Sequence, residues 1–147
     1  MGKFSFLVFA IIGYGFIVSN KPCTPKVNHF NISPQTLYDA DNEAFFNGQL
    51  PKVEVVAEND PYVPIEKKIF GLTEHTPGTH YYKVYISPVY NQYQEDEMES
   101  VIHEACHIWT QEKEERDGLS VVGDDHGLLW QNCMKMVASR DGFSTIW

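Results

Sequence analysis

The stretch that decides the fold is residues 98–111, which read MESVIHEACHIWTQ. Its apolar side chains recur at the spacing of one helix face: Met98, Ile102, Ala105 and Trp109. The pattern H-E-x-x-H, from His103 to His107, lies inside this predicted helix. Residues four apart project from the same face of a helix one turn apart, so the two imidazoles can share one metal ion.

This spacing predicts zinc and a proton carrier beside it. Zinc accepts imidazole nitrogens at about 2.0–2.1 Å, and a catalytic zinc site keeps three protein ligands and one water. Glu104 adjoins that water and can take its proton, then pass it to the amine that leaves a peptide carbonyl. The apolar neighbours place the helix in the core, where polar groups without partners are costly. The pattern therefore favours a metal site over a polar helix surface.

A third ligand must come from outside the pentapeptide. The other histidines of the chain are His29, His75, His80 and His126. His126 is the best placed, because it opens the last predicted helix after a glycine-bearing loop that can fold this helix back against the H-E-x-x-H helix. The other three precede the site in turn-rich stretches, where an exposed histidine is the default.

Carboxylates and a cysteine are the remaining candidate ligands. Three glutamates follow His107 too closely and have the pattern of a solvated face: Glu112, Glu114 and Glu115. Asp124 and Asp125 neighbour His126 and are expected to cap the last helix or to orient an imidazole. Cys106 could also ligate zinc, but a small buried thiol packed in the core is the favoured interpretation.

The rest of the chain predicts one helix, then strands, then two helices. Ser33 can cap a first helix that begins at Pro34 and ends at Gly48. Strand composition follows in residues 53–57, 69–74 and 81–87. The H-E-x-x-H helix is expected from 95 to about 111, a loop over 112–123, and the last helix from about 125 to 139. This order predicts an α+β domain with a small, mainly antiparallel sheet over residues 33–147.

Composition limits the partners and the size of the domain. The 147 residues are 43% hydrophobic, enough for one core. A formal net charge of -9, without a cluster of basic residues, argues against a nucleic-acid partner. The three cysteines, at 23, 106 and 133, are too few for a disulfide framework, and at most one bridge can form.

The N-terminal stretch predicts targeting. Residues 4–18, FSFLVFAIIGYGFIV, carry no charge and follow Lys3. Residues 1–20 are therefore expected to be a signal peptide or a membrane anchor, and the breaker-rich residues 21–32 a linker. The alternative is a buried first strand or helix of the domain. We expect an exported or membrane-associated chain.

A resemblance to a known family rests on three motifs. HEACHIWT at 103–110, followed by DDHGLLWQNCM at 124–134, resembles the SprT/Spartan-like family of minimal zincins, whose pattern is HExxH and, on the next helix, HGxxF or HGxxW. LYDADNEAFFNGQLP at 37–51 is similar to the opening helix of that family. The resemblance implies a zincin-like fold, a protein or peptide substrate, one zinc per chain held by His103, His107 and His126, and Glu104 as acid and base.

Two other functions stay open beside a zinc metalloendopeptidase. One is a catalytically silent binding module stabilised by a metal, which the intact Glu104 counts against. The other is zinc-dependent hydrolysis of a non-protein amide. The sequence departs from the DNA-repair members of the family, because it has no cysteine-rich zinc ribbon and no basic surface. The resemblance therefore does not imply cleavage of DNA-bound proteins.

Overall fold

A computed structural model describes residues 32–76, 78–119 and 125–141. Three helices and three strands make up the fold in this part of the chain: α1 (Pro34–Phe46), β1 (Glu54–Val56), β2 (Gly71–His75), β3 (Tyr82–Ile86), α2 (Gln94–Asp117) and α3 (Leu128–Asp141). A single 3-10 turn, Ile65–Lys67, lies between β1 and β2. The predicted α+β class and the predicted order of elements are confirmed.

The first helix begins and ends where its local signals indicate. Ser33 caps α1 by accepting a hydrogen bond from the Thr36 backbone N–H at 3.2 Å, and Pro34 occupies the first turn. The chain leaves the helix through two residues with positive φ, Asn47 and Gly48. The buried face of α1 carries Leu37, Tyr38, Phe45 and Phe46 into the core.

The sheet is mixed, in the order β1-β3-β2. Its longer ladder is the antiparallel pair of β2 and β3, with Thr73 opposite Val84. The shorter ladder is parallel and sets Val55 of β1 opposite Val84 of β3. Strand β2 therefore lies at one edge of the sheet, where it also packs against α2.

Helix α2 is the centre of the core and extends further than its apolar spacing predicts. Its buried side chains include Val101, Ile102, Ala105 and Ile108. The predicted loop over 112–123 is wrong in its first part, since the helix continues to Asp117. Gly118, with a φ of 67°, ends it by donating its N–H to the carbonyls of Glu114 and Glu115. At the start of the extra turns, Glu112 accepts a hydrogen bond from Tyr82 of β3, and Lys113 pairs with Asp117 one turn along the helix.

A disulfide joins the last two helices. Cys106 of α2 and Cys133 of α3 are bonded, with their Cα atoms 5.7 Å apart and both side chains fully buried. The interpretation of Cys106 as a packed free thiol is therefore wrong. The two cysteines lie on the faces through which α2 and α3 contact each other, and that packing brings the sulfurs together.

The helices in the described part of the chain contradict the prediction of an exported or membrane-associated protein. None of them is long and apolar enough to cross a membrane. The longest, α2, has 24 residues but begins with Glu95, Asp96 and Glu97 and is charged at its other end as well. The predicted leader over 1–20, with its apolar residues 4–18, and residues 21–31 of the predicted linker lie outside the described residues.

Candidate metal centre

Three histidines, two from α2 and one from the segment before α3, converge at one point of the fold. His103 and His107 lie one turn apart on α2, and His126 lies two residues before α3. The Nε2 atom of His103 is 3.2 Å from Nε2 of His107 and 3.0 Å from Nε2 of His126. One candidate ligand atom from each side chain lies within 4.8 Å of the other two. The structure thus brings together all three histidines that the sequence singles out; we call them the triad.

The spacing of the triad nitrogens fits a small metal ion. Two nitrogens at about 2.0–2.1 Å from a tetrahedral ion stand about 3.3 Å apart. The observed separations of 3.0 and 3.2 Å are close to that value. Because imidazole lone pairs repel when they face one another, a cation between them relieves the repulsion. The triad could therefore hold a metal ion.

Burial keeps two of these imidazoles neutral. It lowers the pKa of His103 to about 3, with a smaller contribution from the charges that His107 and His126 would carry. Burial likewise lowers the pKa of His107 to about 4, where His126 acts in the same direction and Asp125 opposes it. Neutral imidazole is the form that binds a metal, so both side chains are ready ligands at neutral pH.

Trp130 forms the wall behind the triad. Its ring centroid lies 4.7 Å from that of His103 and 4.4 Å from that of His126, and only 4% of the residue is exposed. The indole N–H donates to the backbone carbonyl of His103 at 3.4 Å, at the long end of hydrogen bonding. Gln131 donates its side-chain N–H to the carbonyl of His126 at 3.0 Å. The first turn of α3 thus fixes His126 in place.

Glu104 lies beside the triad and is buried. Only 4% of the residue is exposed, and its Oε2 accepts a hydrogen bond from the Thr73 hydroxyl of β2 at 2.6 Å. Burial raises the pKa of Glu104 to about 7, and the Thr73 hydrogen bond opposes that rise. A carboxyl group with such a pKa can both accept and release a proton near neutral pH.

Two open cavities meet at Glu104. The larger, about 380 Å³, is lined by Phe70, Gly71, Asp96, Glu99, Ser100, His103 and Glu104. The smaller, about 250 Å³, is lined in part by Thr73, Gln111, Asp125, Glu104 and the triad. Gly71, His103 and Glu104 line both cavities, so the two adjoin beside β2 and the triad, and we call them together the groove. A molecule in this groove would contact the triad and the carboxylate together.

The other candidate residues do not join the triad. His80 is exposed and contacts Glu112 at 3.0 Å. His75 stacks on Tyr82 with ring centroids 4.4 Å apart, and its side chain is only 13% exposed, so the expectation of an exposed residue is wrong for it. His29 and Asp124 lie outside the described residues. Asp125 lies at the rim of the groove, three residues before α3 begins.

Two residues that touch Glu104 are missed by sequence reasoning. Gly71 and Thr73 lie in a segment that is predicted as a strand, with no feature that connects it to the H-E-x-x-H helix. Thr73 and Glu104 are 31 residues apart in the chain. A single sequence holds no signal for a contact of this kind.

Fold and site together define a small α+β protein with a three-histidine site that could hold a metal and a buried glutamate beside it. The family model described as the SprT-like family matches residues 35–145, which cover most of the chain. The chain therefore belongs to the SprT-like family, and the resemblance drawn from its motifs is confirmed. Membership is consistent with a metallopeptidase-like role. A search of curated proteins finds no match to this sequence.

Proposed function

We propose that the protein is a zinc-dependent metalloendopeptidase in which His103, His107 and His126 hold one zinc ion and Glu104 is the general base. The observation that carries the proposal is the convergence of the triad beside a buried carboxylate in an open groove, with Nε2 of His103 3.2 Å from that of His107 and 3.0 Å from that of His126. Family membership supports the same class of reaction.

Zinc suits this ligand set better than a harder cation. The triad offers nitrogen ligands alone, whereas magnesium and calcium prefer carboxylate and carbonyl oxygens. The triad would supply the three protein ligands that a catalytic zinc site keeps beside a water. Zinc bound there would supply Lewis acidity, which makes a water a stronger nucleophile at neutral pH.

Glu104 is proposed to move protons and not to bind the metal. It follows His103 directly on α2, so its side chain leaves the helix in a different direction from the two histidines. Its carboxylate lines both halves of the groove. It can accept a proton from a water in the groove and donate it to the amine nitrogen as the carbon–nitrogen bond breaks.

The groove and the charge favour a protein or peptide as the partner. Its two open cavities adjoin beside β2, so the groove offers room for a segment of extended chain. Asp96 and Glu99 line its larger half, and the whole chain has a formal charge of -9. These charges repel a phosphate backbone, which argues against a nucleic acid as the direct substrate.

The test combines metal content with turnover in the full chain. We expect about one zinc per chain by elemental analysis and cleavage of an unstructured protein such as casein, which a chelator abolishes. Glu104→Gln should keep zinc and lower turnover about 100-fold or more, because the amide cannot accept a proton. Glu95→Gln, the same change at an exposed position of α2, is the matched control.

Each contrary result has a distinct meaning. Glu104→Gln with the wild-type rate would remove Glu104 as the base. A protein that binds zinc but cleaves neither casein nor any peptide would favour the silent binding module, unless it hydrolyses a non-protein amide offered in the same assay. A chain that purifies without metal and does not take up added zinc would overturn the metal site.

A further inference from the structure

Strand β2 presents two complementary features to Glu104. Thr73 donates its hydroxyl to Oε2 of Glu104 at 2.6 Å, a short distance typical of a hydroxyl bonded to a carboxylate. Gly71, two residues earlier, lies against the same carboxyl group. Residues two apart in a strand face the same side, so both features belong to the face of β2 that packs on α2.

The lack of a side chain at Gly71 is what the carboxyl group requires. A Cβ atom placed there would lie 2.7 Å from Oε1 and 2.9 Å from Cγ of Glu104. These separations are shorter than real Cβ contacts, so one of the two residues would have to shift. Among the described residues, the glycines with positive φ are Gly48, Gly78 and Gly118, so Gly71 does not have a left-handed backbone. Its backbone therefore does not demand glycine, but the space occupied by Glu104 does.

Such a contact matters because a glutamate side chain is flexible. It has three rotatable bonds, and fixing them costs rotamer entropy that the surrounding structure must offset. A general base must lie within hydrogen-bond reach of the proton that it takes, and a misplacement of about 1 Å can cost about 100-fold in rate. Thr73 holds Oε2 by a hydrogen bond, and the missing side chain at Gly71 leaves room for Oε1 in that orientation.

We propose that Gly71 and Thr73 form a carboxylate seat, which positions Glu104 for proton transfer. The inference rests on the proposed function of Glu104 and adds two positioning residues to it. It also explains why a small residue and a hydroxyl residue occur two apart in a strand that otherwise carries the larger side chains Leu72, Glu74 and His75.

The first experiment measures kcat and KM for casein-derived peptide cleavage together with zinc content. Thr73→Val removes the donor at almost constant volume and should lower kcat about 10-fold or more, with KM and zinc content within about twofold of wild type. Thr73→Ser keeps the hydroxyl and should restore most of kcat. Gly71→Ala should lower kcat in the same way, because the added methyl displaces the carboxylate.

The matched control is Thr110→Val. Thr110 lies on α2, and its hydroxyl is buried without a hydrogen-bond partner among the described residues, so its loss should leave kcat unchanged. A Thr73→Val enzyme with the wild-type kcat, or Thr73→Ser and Thr73→Val enzymes that are equally impaired, would overturn the seat. Full activity in Gly71→Ala would remove Gly71 from it.

A second experiment needs no activity and separates the seat from the proposed function. In urea unfolding of the full chain, Thr73→Val should raise the unfolding equilibrium constant about tenfold when Glu104 is present and less than about twofold in a Glu104→Leu background. Equal effects in the two backgrounds would overturn the seat even in an active enzyme. Coupling between the residues in a protein that cleaves nothing would instead overturn the proposed function and leave the contact established.

Discussion

Two histidine clusters of opposite character lie along helix α2. In the triad, His103 faces two other imidazoles, and burial lowers the pKa of both His103 and His107. Two turns further along, an ion-pair cluster forms where Glu112 contacts His80 at 3.0 Å and Glu115 contacts His75 at 3.5 Å. There the hydrogen bond and charge of Glu112 raise the pKa of His80.

The difference shows that the neighbours of a histidine decide its use. An imidazole beside a carboxylate tends to keep its proton, and a protonated nitrogen has no lone pair for a metal. A buried imidazole among other imidazoles loses the proton and keeps both properties that a ligand needs, neutrality and a free lone pair. The triad is thus suited to a cation, whereas the ion-pair cluster links α2 to the β2–β3 hairpin.

The largest expected effect is a difference in zinc content between variants of the triad and variants of the ion-pair cluster. His126→Ala removes one of three ligands and should lose most of the zinc and the activity. His75→Ala should keep about one zinc per chain, because its ring packs on Tyr82 and contacts no triad member among the described residues. Elemental analysis after dialysis measures both variants. Equal zinc loss in the two would remove His126 as the third ligand.

The next effect concerns the disulfide, on which the triad should depend more than the ion-pair cluster. The bridge closes a loop with a sequence separation of 27 that contains His126. The Cys106→Ala, Cys133→Ala double variant should be less stable by about 3.5 kcal/mol, from loop entropy alone, and should bind zinc more weakly. Thermal unfolding and zinc titration measure these changes.

Cys23→Ser is the control for this variant, since it leaves the bridge intact. Reduction of the wild-type protein should reproduce the effect of the double variant. Unchanged stability and unchanged zinc affinity after removal of the bridge would show that α3 is held against α2 by packing alone.

The smallest effect is the pH dependence that the ion-pair cluster contributes. The pKa of His80 is raised in the folded protein, so its pairing with Glu112 stabilises the fold fully below about pH 6.5, the value in the unfolded chain. That contribution is lost as pH rises through the raised pKa. Wild type should therefore melt slightly above His80→Gln at about pH 5.5, and the gap in melting temperature should shrink as pH rises above that range.

Zinc content should be the same in both proteins at each pH. The gap in melting temperature should be small, because His80 is exposed and solvent screens the pair. A gap that widens with increasing pH would contradict the assigned direction of the pKa change.

Local signals in the sequence account for much of the fold. Ser33 followed by Pro34 marks the start of α1, and alternating aromatic and β-branched residues mark β3, because each signal acts through the nearest turns of backbone. Gly118 marks the end of α2 equally well, yet the polar residues before it favoured a loop. A contact that no local signal predicts also supports those turns, since Tyr82 donates to Glu112 across 30 residues of the chain.

The same division applies to the site. The sequence by itself determined that His103 and His107 share one face and that Glu104 lies next to them, since the geometry of an α-helix sets those positions whatever surrounds it. The motif at 126–130 indicated the third histidine. Only the tertiary structure decided that Gly71 and Thr73 contact Glu104 and that Cys106 bonds Cys133. These pairs meet because separate elements pack together, and that packing depends on the whole core and not on any local spacing of residues.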